Sequence, residues 1–109
     1  MEIKKEIKKT EVIKIIAEEN GIYMGRVFLF LIFNDLHEKF YGLIEDAYVE
    51  KEFRGQGVGT KLLKEVIKEA REKGCYKLIC QSRYGKESVH EMYKKLGFKD
   101  WGKNFRMDF

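Results

Sequence analysis

Residues Arg54-Gly55-Gln56-Gly57-Val58-Gly59 combine a cation with glycines at alternate positions, directly ahead of a run whose apolar residues recur at helical spacing. Glycine lets backbone N–H groups approach an anion without a Cβ in the way. The opening turn of a helix adds unpaired donors and the positive end of its dipole. Pyrophosphate is a natural ligand for such a loop; a plain tight turn is the alternative reading. Two other phosphate loops fail on spacing: Thr60 stands where G-x-G-x-x-G needs its third glycine, and G-x-x-x-x-G-K-[ST] does not occur. Proton transfer in such a site would fall to carboxylates and phenols elsewhere in the chain. A carboxylate near pKa 4.3 accepts a proton and a phenol near pKa 10 donates one at neutral pH, each about at its reference value.

These residues need elements to hold them. Val12, Ile13, Ile15 and Ile16 predict a strand over Glu11–Ala17, and Glu18-Glu19-Asn20-Gly21 a hairpin turn into a second strand over Arg26–Phe33. That arm carries the continuous apolar run Val27–Phe33, which fits a central strand covered on both faces. A third strand is predicted over Tyr41–Val49, where alternation sends Glu45 and Asp46 to opposite faces. The period then changes. Val58, Leu62, Leu63, Val66, Ile67 and Ala70 mark an amphipathic helix stopped by Gly74; Tyr76–Cys80 reads as a short strand. Ser88 and Glu91 have capping-box spacing for a second helix with Val89, Met92, Tyr93 and Leu96 on one face and Gly97 at its end. Phe98–Phe109 is expected to close the fold as one or two strands. Met1–Thr10 is either a helix with Ile3 and Ile7 on one face or a charged edge strand. The whole chain, residues 1–109, reads as one α/β (α+β) domain, a mixed, mostly antiparallel sheet flanked by helices.

Three pieces, in order, resemble the GNAT superfamily of acyl-CoA N-acyltransferases over about Ile44 to Phe98. Ile44-Glu45-Asp46-Ala47-Tyr48-Val49 is similar to its acceptor-side strand, Arg54-x-x-Gly57-x-Gly59 to its R/Q-x-x-G-x-G/A loop, and Val89-His90-x-x-Tyr93-x-x-x-Gly97-Phe98 to its later helix motif. The resemblance implies acetyl transfer from acetyl-CoA to a primary amine on a small molecule or protein. It implies that backbone amides at Tyr48 and Val49 hold the acyl carbonyl and pantetheine, and that Arg54, Gly55, Gln56, Gly57, Val58, Gly59 and Thr60 hold the pyrophosphate, with Lys86 a further phosphate contact. Tyr93 corresponds to the proton donor to departing thiolate, or else is a core aromatic. Glu45 corresponds to the proton acceptor, or else is an ordinary exposed strand carboxylate. Lys86 departs from a frequent asparagine, and the usual pair of helices between the first two strands is missing, which leaves the acceptor unidentified. A CoA-sensing module without turnover is the competing function.

Composition narrows the partners. No eighteen-residue apolar stretch exists and Met1–Lys9 is charged, so the expectation is a cytoplasmic chain with neither membrane span nor leader. The net charge of +4 is a balance of 22 basic against 18 acidic residues spread along the chain, without the basic stripe a nucleic-acid binder needs. Cys75 and Cys80 lack zinc-type spacing and are expected as reduced thiols, so no metal is implied. The apolar run Val27–Phe33 is long for a domain lacking the helix pair, which predicts a homodimer whose second subunit covers the patch.

Overall fold

The computed structural model describes every residue from Met1 to Phe109. Strands β1 (Glu11–Glu19), β2 (Ile22–Asn34) and β3 (Lys39–Val49) form an antiparallel meander; helix α1 (Val58–Glu72) then crosses to the short parallel strand β4 (Leu78–Ile79), and α2 (Glu87–Lys95) follows. The sheet order is β1-β2-β3-β4. Asn20 (φ 52°) and Gly21 (φ 77°) make the two-residue turn between β1 and β2, with both residues left-handed as a type I′ turn requires.

The alternation of β2 divides its apolar run. Val27, Leu29 and Leu31 are fully buried against Val58, Leu62, Leu63, Val66 and Ala70 of α1, and Ile44 joins them from β3. Burying each of the valine, leucine and isoleucine side chains contributes on the order of 1.5–3 kcal/mol, so this contact between sheet and helix forms the core. Phe28, Phe30 and Ile32 point the other way and are only half-buried, with Val12 and Ile16 of β1 exposed beside them. The sheet is thus covered on one face by α1 and open on the other, where the apolar run had predicted cover on both.

Both helices end in the same way. Gly74 N–H donates to the Arg71 carbonyl and Cys75 N–H to Ala70; Gly97 N–H donates to Lys94 and Phe98 N–H to Tyr93. This Schellman pairing satisfies carbonyls the helix leaves free. The start of α2 departs from expectation. Its first residue is Glu87, Lys86 occupies the capping position, and no side chain caps it, so the Ser88–Glu91 box does not form. Two further expectations fail at the chain ends. Met1–Thr10 forms neither helix nor strand, and 99–109 forms no strand. β4 offers a ladder of only two residues, and an isolated strand without a hydrogen-bonded neighbour is unstable in water. Trp101, Phe105, Met107 and Phe109 accordingly stay exposed, although Gln81 just beyond β4 holds Asn104 at 3.3 Å.

Candidate functional site

β3 pairs with β4 only at Gly42–Leu78 and Leu43–Ile79, so its last six residues, Ile44–Val49, run on with no strand on that side. The opening is a cleft of about 150 Å³ lined by Ala47, Tyr48 and Val49 of β3, Gly59 and Leu63 of α1, and Met92 and Tyr93 of α2. β2 fixes the strand end from the other side. A Cβ on Gly25 would lie 2.6 Å from the Tyr48 carbonyl oxygen, so only glycine permits that approach. Glu50 N–H then donates to the Met24 carbonyl at 2.8 Å.

The register between β2 and β3 slips within this stretch: Phe28 pairs with Glu45, but Arg26 pairs with Tyr48. The extra residue is a β-bulge, with Asp46 left-handed at φ 52°, a conformation aspartate tolerates better than most side chains. Glu45 and Asp46, which strict alternation sends to opposite faces, therefore line the same groove of about 450 Å³ on the open face, over Phe28, Phe30 and Leu43. Arg26 clamps the bulge. Its Nε donates to Asp46 Oδ2 at 3.0 Å and its Nη2 to Oδ1 at 3.1 Å, while Nη1 donates to the Tyr23 hydroxyl at 3.3 Å. Those bonds raise its pKa still further above the ordinary arginine value. Arg26 carried no signal in the sequence; the hint was an aspartate in a strand, a residue that disfavours strands and accepts the left-handed region.

At the mouth of the cleft the guanidinium of Arg54 lies 5.3 Å from the centre of the Tyr48 ring, and that of Arg26 lies 5.0 Å from it. Arg54 Nε donates to the Val49 carbonyl at 2.9 Å and Gln56 Nε2 to the Glu52 carbonyl at 3.2 Å. Arg54 thus ties the glycine loop to the end of β3 and keeps its other donors free, while Gln56 ties it to the 3-10 turn Lys51–Phe53. Gly57 is the N-terminal cap of α1 at φ 84° and ψ 9°, and no acidic residue lies in the first helical turn. The first amide of the helix to find an intrahelical partner is Lys61, which donates to Gly57. The amides of Val58, Gly59 and Thr60 are left for a ligand. Cβ atoms at Gly55 and Gly57 would project into open space, and both residues are left-handed. Val58 contributes its amide only, since its side chain is buried in the core.

Tyr93 lies on the far wall. Its carbonyl accepts the capping bond from Phe98 and its ring packs on that of Phe98 at 5.6 Å, so part of the Tyr93-x-x-x-Gly97-Phe98 pattern is a helix terminus. The hydroxyl has no protein partner. Burial, and then the neighbouring Cys80, push its pKa above the ordinary tyrosine value, and burial pushes the Cys80 thiol up to about 11. Both are protonated at neutral pH. The cleft thus gathers Tyr48, Val49, Gly59 and Tyr93. Glu45 sits on the opposite face of the sheet, and Lys86 at the start of α2 makes no ion pair or side-chain hydrogen bond. His90 Nε2 bonds Ser82 Oγ at 3.0 Å, a positioning contact between α2 and the segment after β4.

The sequence matches the acetyltransferase (GNAT) family over residues 2–98. The chain belongs to that family. Among its relatives, the glucosamine 6-phosphate N-acetyltransferase of Trypanosoma brucei brucei is 39% identical over 67 residues, covering 62% of this chain and 44% of that protein. The thialysine N-epsilon-acetyltransferase of Bos taurus is 40% identical over 57 residues, covering 52% of this chain and 34% of that protein. The matched stretches therefore span less than half the length of these relatives. A putative acetyltransferase from Agrobacterium tumefaciens str. C58 superposes with a TM-score of 0.84 at 24% identity, covering 90% of this chain and 69% of that one. The GNAT fold is thus present.

Proposed function

We propose that this GNAT chain is an acetyl-CoA-dependent N-acetyltransferase acting on a primary amine. The observation that carries the reading is the convergence on one cleft of the end of β3, the ligand-free amides of α1 and the unpartnered Tyr93 hydroxyl. Acetyl-CoA supplies the activated acetyl thioester. The amides of Gly55–Thr60 receive its pyrophosphate, with the remaining Arg54 donors beside them. Backbone N–H groups of the Tyr48–Val49 stretch, held by Gly25 and Glu50, face the carbonyl oxygen, where fixed donors stabilise developing negative charge without reorganising.

In the reaction the amine nitrogen forms a bond to the acetyl carbon, the carbon–sulfur bond breaks, and the sulfur leaves with the electron pair. Tyr93 gives its hydroxyl proton to that sulfur and regains one from solvent. The raised pKa keeps Tyr93 protonated beforehand. The proton lost by the amine passes through water around the unpaired edge of β3 to Glu45, which lies on the other face of the sheet and, unlike Asp46, is not already paired with Arg26.

The test is a residue-resolved NMR titration with acetyl-CoA. Amide shifts centred on Tyr48, Val49, Gly55–Thr60 and Tyr93 support the reading. Shifts confined to the open sheet face, or none at millimolar acetyl-CoA, contradict it. Binding at the cleft without acetyl-CoA consumption by any amine assigns the chain instead to CoA sensing.

A further inference from the structure

We infer that the groove on the open face of the sheet selects a monoamine carried on an apolar, aryl or alkyl, stem. This rests on the acetyltransferase reading above and names the acceptor class for it. The floor of the groove is Phe28, Phe30 and Leu43, and its only charged lining groups are Glu45 and Asp46. The two carboxylates are not equivalent. Asp46 is held by two hydrogen bonds from Arg26, at 3.0 and 3.1 Å, whereas Glu45 has no hydrogen bond or ion pair. A cation is thus invited at Glu45, two residues before the cleft residue Ala47 and on the other face of the sheet, with the unpaired edge of β3 between them, while the rest of the ligand lies on aromatic and aliphatic surface.

The opposite end of the same row sets the limit. Lys14, Phe28 and Glu45 face one another across β1, β2 and β3, with Lys14 Nζ 5.6 Å from the centre of the Phe28 ring. The backbones of Lys14 and Glu45 stand about two strand spacings, ~10 Å, apart, and the Lys14 ammonium reaches over the Phe28 ring between them. An ammonium at Glu45 with an apolar body over Phe30 and Leu43, away from Lys14, meets both features. A polyamine reaching along the row carries its second cation toward Lys14. A phosphorylated amino sugar brings an anion against Glu45 and Asp46 and leaves the apolar floor without a partner.

The experiment uses the intact chain saturated with CoA for binding, and with acetyl-CoA for turnover, against 2-phenylethylamine, spermidine and glucosamine 6-phosphate. The inference predicts that 2-phenylethylamine binds, and is turned over, at least about tenfold better than either of the others. Glu45→Gln should weaken its binding about tenfold and leave CoA affinity unchanged. Lys14→Glu should improve spermidine about fivefold, a change that a structural role for Lys14 would not produce. Preference for glucosamine 6-phosphate or spermidine overturns the acceptor class while leaving acetyl transfer standing. If no amine is acetylated, direct binding of 2-phenylethylamine still decides the groove, and the acetyltransferase reading falls separately. A dimer by sedimentation that excludes 2-phenylethylamine overturns the inference and assigns the open face to a second copy of the chain.

Discussion

Gly57→Ala separates backbone strain from steric conflict in the glycine loop. The residue caps α1 at φ 84°, and a Cβ there meets nothing within 4 Å, so an alanine costs conformational energy alone. Holding an alanine left-handed costs roughly 1–2 kcal/mol. The cost can appear in two ways. If the loop stays left-handed without ligand, the whole amount is lost from stability, lowering the melting temperature by about 4–8 °C per kcal/mol for a domain near this size. If the free loop relaxes, acetyl-CoA binding must restore it, and the dissociation constant rises by up to about 5- to 30-fold. The two losses should together come to about 1–2 kcal/mol. Differential scanning calorimetry and isothermal titration with CoA measure them on the same sample. Gly59→Ala is the internal contrast: its Cβ makes an ordinary 3.7 Å contact with Val49 inside the helix, and removing a helical glycine should raise stability by about 0.5–1 kcal/mol. A Gly57→Ala protein with parental stability and parental CoA affinity would refute the argument, as would a combined loss far above 2 kcal/mol.

Tyr93→Phe keeps the ring on Phe98 and removes a hydroxyl without a protein partner, so stability and CoA affinity should be nearly parental while turnover falls about 10- to 100-fold. Parental turnover across pH 6 to 9, with an acceptor for which chemistry is rate-limiting, returns Tyr93 to the role of a core aromatic. Lys86→Asn places a capping oxygen at the uncapped start of α2 and should stabilise by about 1 kcal/mol in urea titration. No gain means that the backbone at position 86 cannot present the cap. The Cys80 thiol is raised from its ordinary 9.0 to about 11 by burial, so the stability tied to its neutral form is complete below pH 9 and is lost as pH climbs through 11. Cys80→Ser should flatten the stability profile between those pH values, and an unchanged slope would place the thiol in water.

The elements that position the cleft were legible because local chemistry alone dictates them. Asn20-Gly21 admits a two-residue turn, the spacing from Val58 to Ala70 draws one helix face, and the glycines before Val58 mark where that helix begins. The open face was not legible. A seven-residue apolar run reads the same whether one side or both are covered, and only the placement of α1 decides. The bulge at Asp46 was hidden for a related reason: alternation is a rule of unbroken ladders, and a single inserted residue reverses every assignment beyond it. Tyr93 was found through its pattern, and the helix stop expected at Gly97 is present, with Phe98 completing the cap on the Tyr93 carbonyl. The tail after Phe98 alternates as a strand should, but its neighbour β4 is too short to hold it.

The most direct test of acetyl transfer at this cleft is the rate of CoA thiol release from acetyl-CoA by the purified chain with 2-phenylethylamine, spermidine, amino acids and peptides as acceptors, each product identified by mass spectrometry. The account predicts an N-acetylated amine formed in equal amount to released CoA, with a rate that rises from pH 6 to 9 as the free amine fraction grows and Tyr93 stays protonated. CoA release without acetylated amine, or acetylation undiminished in Tyr93→Phe and Gly57→Ala alike, would contradict it.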